Sequence, residues 1–233
     1  MTIEPMANTP RAYARAAGVL YLLIIVCGIF SEALVRSSLI VAGDADATAA
    51  KVLASPGLFR AGFAADVVML LSDVAIAIVF YILLKPVSAP LALTAAAFRL
   101  IQAALIGGSL LFYYSALILL AGGYANAFPP SQLHALALFM LDMHSHGYDV
   151  GLLFFGVSSL ILGYLVVRSA YFPSLLGYGL MAAAVVYLTG SLARFLLPES
   201  LPLIMPLYIV PLVAELAFCL WLLIKGVAQP RPA

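Results

Sequence analysis

LFRAGFAADVVMLLSDVAIAIVFYILL, Leu58 to Leu84, is the stretch whose reading decides the fold. Crossing a hydrocarbon core about 30 Å thick takes about 20 apolar residues in a helix. This run is longer than that, and it stops at Lys85-Pro86. A cation followed by a residue that cannot continue a helix is a membrane-edge ending. Inside the run lie Asp66 and Asp73, seven residues apart and so on one helical face.

The rest of the chain agrees with that stretch. Of 233 residues, 65% are hydrophobic and 9% charged, against about 45–50% and about 25% in soluble domains. Spans read at 16–35, 58–84, 91–120, 148–167, 175–196 and 206–224 predict an all-α, six-helix transmembrane bundle. Residues 1–15 form an N-terminal segment, 16–225 a single transmembrane domain and 226–233 a tail. The first apolar run is too long for a signal peptide and carries Glu32 at its only cleavage-like spot, so it reads as an uncleaved span. Ala45 to Ser55 predicts a short surface helix, broken at Ser55-Pro56-Gly57. Gly122 to Pro130 is a turn-rich loop. Cys27 and Cys219 both fall in apolar runs, as small buried hydrophobes do.

Lys and Arg near span ends set orientation. With the N-terminus inside, Arg11, Arg15, Lys85, Arg168, Lys225 and Arg231 are cytoplasmic, while Arg36, Lys51 and Arg60 lie outside. The expected location is therefore a bacterial inner membrane, multi-pass, with both termini cytoplasmic. An excess of Arg over Lys fits a GC-rich bacterial genome. The net charge of +1 gives no electrostatic case for nucleic acid. Candidate partners are the lipid bilayer, a small molecule or cation, and a second copy of the chain.

The fourth span is too long. Ser131 to Arg168 would measure about 57 Å as one helix, against about 40–45 Å for a bilayer with its headgroups. A break near Gly147 is the expected solution, leaving Gln132 to His144 as a short outer helix before the span. The charges also suggest three hairpin repeats. Each returning helix carries an acid and then a cation: Asp73 and Lys85, Asp149 and Arg168, Glu215 and Lys225.

Ionisable groups at membrane depth cost about 2.5–3.5 kcal/mol each even on the lenient scale, so they face the bundle interior and one another. Counting from the cytoplasmic anchors puts Asp73, Arg99 and Glu215 near the midplane, with Gln102 on the same face as Arg99. Glu32, Asp66, Asp149 and Arg194 fall in the outer half. Six acids, with Asp142, face three arginines (Arg60, Arg99 and Arg194) and leave an acid surplus. The expected pairs are Arg99 with Asp73 or Glu215, and Arg194 with Glu32 or Asp66; Glu32 and Arg36 are spaced for a local pair.

All three histidines lie in one stretch, His134, His144 and His146. On a regular helix the rings of His144 and His146 point about 200° apart. At a break they would converge, with Asp149 as a third ligand for a divalent metal. The chain has no His-Glu-x-x-His, Gly-x-Ser-x-Gly, phosphate loop or Cys-x-x-Cys. Ser158, Ser159, Ser191, Gly107-Gly108 and Ala95-Ala96-Ala97 read as close-packing residues.

Four blocks carry a family resemblance: RAAGVLYLLIIVCGIF (Arg15 to Phe30), FRLIQ (Phe98 to Gln102), FFGVSSLILGY (Phe154 to Tyr164) and AELAFCLWLLIKG (Ala214 to Gly226). The chain resembles a bacterial multi-pass membrane family of similar length, catalogued only as a domain of unknown function. That resemblance implies the fold and the membrane, and brings no activity. The family pattern has a His two residues after Phe-Phe-Gly, where this chain has Ser158.

Three functional readings follow. The first is binding or transport of a small polar ligand or cation in an outward-facing polar cavity lined by Glu32, Asp66, His146, Asp149 and Arg194, above a floor of Asp73, Arg99 and Glu215. The second is an intramembrane, metal-assisted enzyme using His144, His146 and Asp149. The third is a structural bundle that assembles with a partner and has no site.

Overall fold

The computed structural model describes residues 10–122, 124 and 126–227; the expected anchor Arg231 lies outside them. The described residues form seven helices: α1 (Pro10–Ile29), α2 (Ala45–Ala54), α3 (Pro56–Leu84), α4 (Ala89–Leu120), α5 (Pro130–Arg168), α6 (Ser174–Leu196) and α7 (Ile209–Ile224). Six stretches are long and apolar enough to cross a membrane. α1 continues through a π-helical stretch, Phe30–Arg36, and one further turn, Ser37–Leu39. Pro198, Pro202 and Pro206 break the approach to α7 into short 3₁₀ and α turns, because each proline removes a backbone donor.

α2 is the short helix expected after the first span. Asp44 caps it by accepting a hydrogen bond from the Ala47 N–H at 2.9 Å, satisfying one of the donors left open at a helix start.

The short outer helix expected before the fourth span is absent. α5 is one α-helix of 39 residues, about 58 Å long, and Gly147 lies inside it unbroken. The glycine serves packing instead: a Cβ there would sit 2.7 Å from Ser109 Cβ on α4. Excess length is tolerable because α5 starts beyond its most apolar part and carries polar residues, Gln132 and His134, on its first turns.

The chain divides into two compact units. Among the described residues, the first comprises 10–22, 73–100 and 153–227, and the second 23–72, 101–122, 124 and 126–152. α1, α3, α4 and α5 each contribute a segment to both, α2 belongs to the second, and α6 and α7 to the first.

In the first unit, small residues let backbones approach closely, as membrane helix packing requires. A Cβ at Gly163 on α5 would meet the Gly177 carbonyl oxygen of α6 at 2.7 Å, and one at Gly18 on α1 would meet Leu223 of α7 at 2.8 Å. Tyr21, Phe80 and Phe218 pack edge and face around the same core. The second unit is centred on Val35, Phe59, Leu70, Ile106, Tyr113 and Leu141, all buried. Phe59 and Tyr113 stack at 4.0 Å, and the Tyr113 hydroxyl donates to the Phe59 carbonyl oxygen at 3.0 Å.

Candidate functional site

Each unit buries one arginine against an aspartate of α3. In the first unit, Arg99 and Asp73 are 2% exposed. Asp73 Oδ1 lies 2.9 Å from Arg99 Nε and 2.6 Å from Nη2. The guanidinium also sits over the Phe155 ring at 4.9 Å and the Tyr21 ring at 5.6 Å, contacts that attract a cation to an aromatic face. Glu215 on α7 is buried beside this pair, within electrostatic reach of Arg99 and Asp73, and accepts a hydrogen bond from Tyr187. The expected midplane group of Asp73, Arg99 and Glu215 is thus assembled. Among its buried atoms, Tyr21 Oη, Arg99 Nη1 and Glu215 Oε1 have no hydrogen-bond partner.

In the second unit the cation is Arg36. Its Nη1 is 2.7 Å from Asp66 Oδ2, and its Nε donates to Glu32 Oε2 at 2.7 Å. Reading Arg36 as a solvent-side anchor and giving Asp66 to Arg194 is corrected here. Arg36 is 7% exposed and takes Asp66 as its partner, because the π-helical stretch turns it toward α3. The local Glu32–Arg36 pair is present, but the Glu32 side chain is 73% exposed and does not line a buried cavity.

His144 joins this centre. It is 1% exposed, with Nδ1 3.1 Å from both Oγ and the backbone oxygen of Ser109. Ser109 Oγ gives its own proton to the Ile106 carbonyl oxygen at 2.7 Å. The backbone oxygen can only accept, so Nδ1 carries the hydrogen. In the neutral ring Nε2 is then a bare acceptor, and it has no partner. Asp66 is fully buried, and the hydroxyl beside its carboxylate, Ser31, donates to the Gly62 carbonyl oxygen at 3.1 Å, which leaves Oδ1 without a committed donor. Tyr113 and Tyr148 hold the group together: their rings lie 5.2 and 6.2 Å from His144, and Arg36 is 5.6 Å over Tyr148.

The expected convergence of His144, His146 and Asp149 on a divalent metal required the break in α5. With α5 continuous, His144 points into the second unit's core, while His146 donates from Nδ1 to the Asp142 carbonyl oxygen at 2.7 Å. Among the described residues no three His, Cys, Asp or Glu side chains are gathered to hold a metal ion. Asp142 is exposed, Asp149 and Arg194 are half-buried, and Gln102 is buried. Counting Arg36 shrinks the acid surplus. Asp66, Asp73 and Glu215 are the buried acids among the described residues, against Arg36 and Arg99.

Apolar spanning helices with ion pairs buried between them define a multi-pass helical membrane protein. Within that class, the chain belongs to the family described as domain of unknown function DUF4386, whose model matches residues 16–226. It is similar to an uncharacterized protein of Archaeoglobus fulgidus, 28% identical over 158 residues, which are 68% of this chain and 79% of that protein. No solved structure matches the chain.

Proposed function

We propose that this membrane protein binds a small cation or amine bearing hydrogen-bond donors at the Arg36 centre, with Asp66 and His144 as its principal acceptors and Glu32 at its edge. One observation carries the reading: His144 Nε2 is a buried acceptor without a donor, and the donor beside the buried Asp66 Oδ1, the Ser31 hydroxyl, is given to the Gly62 carbonyl oxygen. A buried acceptor left unmatched costs about 1–3 kcal/mol, so the pair favours a ligand that donates. The π-helical stretch bearing Glu32 and Arg36 supports it, since such segments recur at functional sites. We further place the protein in a bacterial inner membrane with both termini cytoplasmic, on the strength of Arg11, Arg15, Lys85, Arg168 and Lys225 flanking one set of helix ends. The Arg36 centre then faces the outer half.

The test is thermal unfolding of purified protein in detergent, at constant ionic strength, with chloride salts of ammonium, methylammonium, sodium, potassium and tetramethylammonium. Ammonium and methylammonium raise the melting temperature of the wild type. Tetramethylammonium, which has no N–H, does not, and His144→Phe removes the response. A wild type that responds to none of these ions, or equally to tetramethylammonium, refutes the proposal.

The direct ion pairs Arg36–Asp66 and Arg99–Asp73 favour a second reading, in which the charges simply join helices and no ligand binds. The same salt series separates the two.

A further inference from the structure

The Arg99 centre of the first unit buries one guanidinium with two carboxyls. Arg99 and Asp73 are each 2% exposed and Glu215 is 8% exposed. Asp73 takes the guanidinium directly, at 2.9 Å from Nε and 2.6 Å from Nη2. Glu215 receives a neutral donor, the Tyr187 hydroxyl of α6, while its Oε1 is buried with no hydrogen-bond partner. The other groups around it do not alter the count. Tyr21 of α1, within electrostatic reach, brings a neutral phenol. The Cys219 thiol, one turn along α7, is given to the Gly18 carbonyl oxygen at 3.4 Å. α5 contributes the Phe155 ring, which lies against Arg99. Arg194, the one cation of α6, is seven residues from Tyr187, about 10 Å along the helix.

With both acids ionised the centre would therefore carry one net negative charge at membrane depth. An isolated buried charge is far more costly than an unmatched neutral O–H. A metal cation could cancel it only with several oxygen ligands, and among the described residues no three His, Cys, Asp or Glu side chains are gathered to supply them. A proton needs one oxygen.

We propose that the Arg99 centre is a proton-binding site in which one proton serves Asp73 and Glu215 together. It resides on Glu215, because Asp73 is held by the guanidinium. Uptake from water converts the carboxylate and H⁺ to a carboxylic acid, and the centre becomes neutral. Occupancy belongs to the balance of one guanidinium against two acids, not to the burial of Glu215 alone. The site is independent of the cation reading above, being built in a different unit from different residues.

The experiment is infrared spectroscopy of purified full-length protein in lipid vesicles at neutral pH. The wild type shows the C=O band of a protonated carboxyl that is missing from Glu215→Gln. Labelling the glutamate side-chain carboxyls with carbon-13 shifts that band. Asp73→Asn loses it too, although Glu215 is intact, because one guanidinium now faces one carboxylate and no proton is needed. Identical wild-type and Glu215→Gln spectra in this region, or a band that ignores the glutamate label, overturn the proposal. A band that persists in Asp73→Asn also overturns it, since burial of Glu215 alone would then account for the proton. The first two comparisons do not depend on Asp73→Asn folding.

Discussion

Asp73→Asn tests the energetics of the Arg99 centre. The substitution keeps the shape and one neutral acceptor but removes the charge facing Arg99 Nε and Nη2 at 2.9 and 2.6 Å. Two unit charges about 4 Å apart attract by about 4 kcal/mol at an effective dielectric of about 20, and breaking a buried pair by removing one partner costs about 3–5 kcal/mol. Two features soften the loss. The Phe155 and Tyr21 rings remain beside the guanidinium, worth about 2 kcal/mol when desolvated whether or not Asp73 is charged. Glu215 remains within electrostatic reach. We expect Asp73→Asn to cost about 3 kcal/mol. Glu215→Gln alone removes the surplus acid and keeps an acceptor for Tyr187, so it should cost under about 1 kcal/mol. Together they leave Arg99 without any anion of the centre, and the cycle should show an extra penalty of about 1–3 kcal/mol. The assay is unfolding by SDS in mixed micelles, read by the fluorescence of Trp221, the chain's single tryptophan. Leu71→Ala, at a side chain 67% exposed, is the lipid-facing control. The reasoning fails if Asp73→Asn is no worse than Leu71→Ala, or if the two carboxyl substitutions are simply additive.

Gly147→Ala should destabilise by about 1–3 kcal/mol through overpacking against Ser109, and Ser109→Gly should relieve it; a hinge at Gly147 would show no such rescue. Reporter fusions after Val87, Ala170 and the C-terminus should all read cytoplasmic, and a periplasmic signal at any one rejects the proposed orientation.

The helices were legible because apolar length is a strong signal and lipid leaves the backbone little alternative. The grouping of Arg99, Asp73 and Glu215 was legible as well: rise per residue is fixed in a helix, and charges in lipid must find one another. The second centre was harder to read. Arg36 looked like an edge cation because its partner choice depends on a π-helical stretch, and hydropathy carries no trace of that. On α5, His146 and Asp149 drew attention as candidate ligands, yet the buried face runs through Leu133, Ala137, Leu141, His144, Gly151 and Phe155. His144 is spaced as the next member of that apolar stripe, seven residues after Ala137 and three after Leu141. Periodicity, rather than polarity, held the clue. Expecting a break in α5 came from comparing its length with the membrane alone; the close approach of Gly147 to Ser109 is a tertiary fact that length cannot report.

The π-helical stretch from Phe30 to Arg36 has a consequence for how the family diverges by insertion and deletion. A wide turn accommodates one more residue than an α-turn over the same path, so a chain shorter by one residue here would close into ordinary α-helix without shortening the span by more than about 1.5 Å. It would also rotate the residues on one side of the deletion by about 100° relative to those on the other. Either Arg36 would leave Asp66 or the α1 face bearing Tyr21 would leave its core. A single-residue gap in this stretch therefore changes the partner of a buried charge wherever the Tyr21 face keeps its place, and a relative that carries one and keeps that face should also have lost or moved the carboxylate at the position of Asp66.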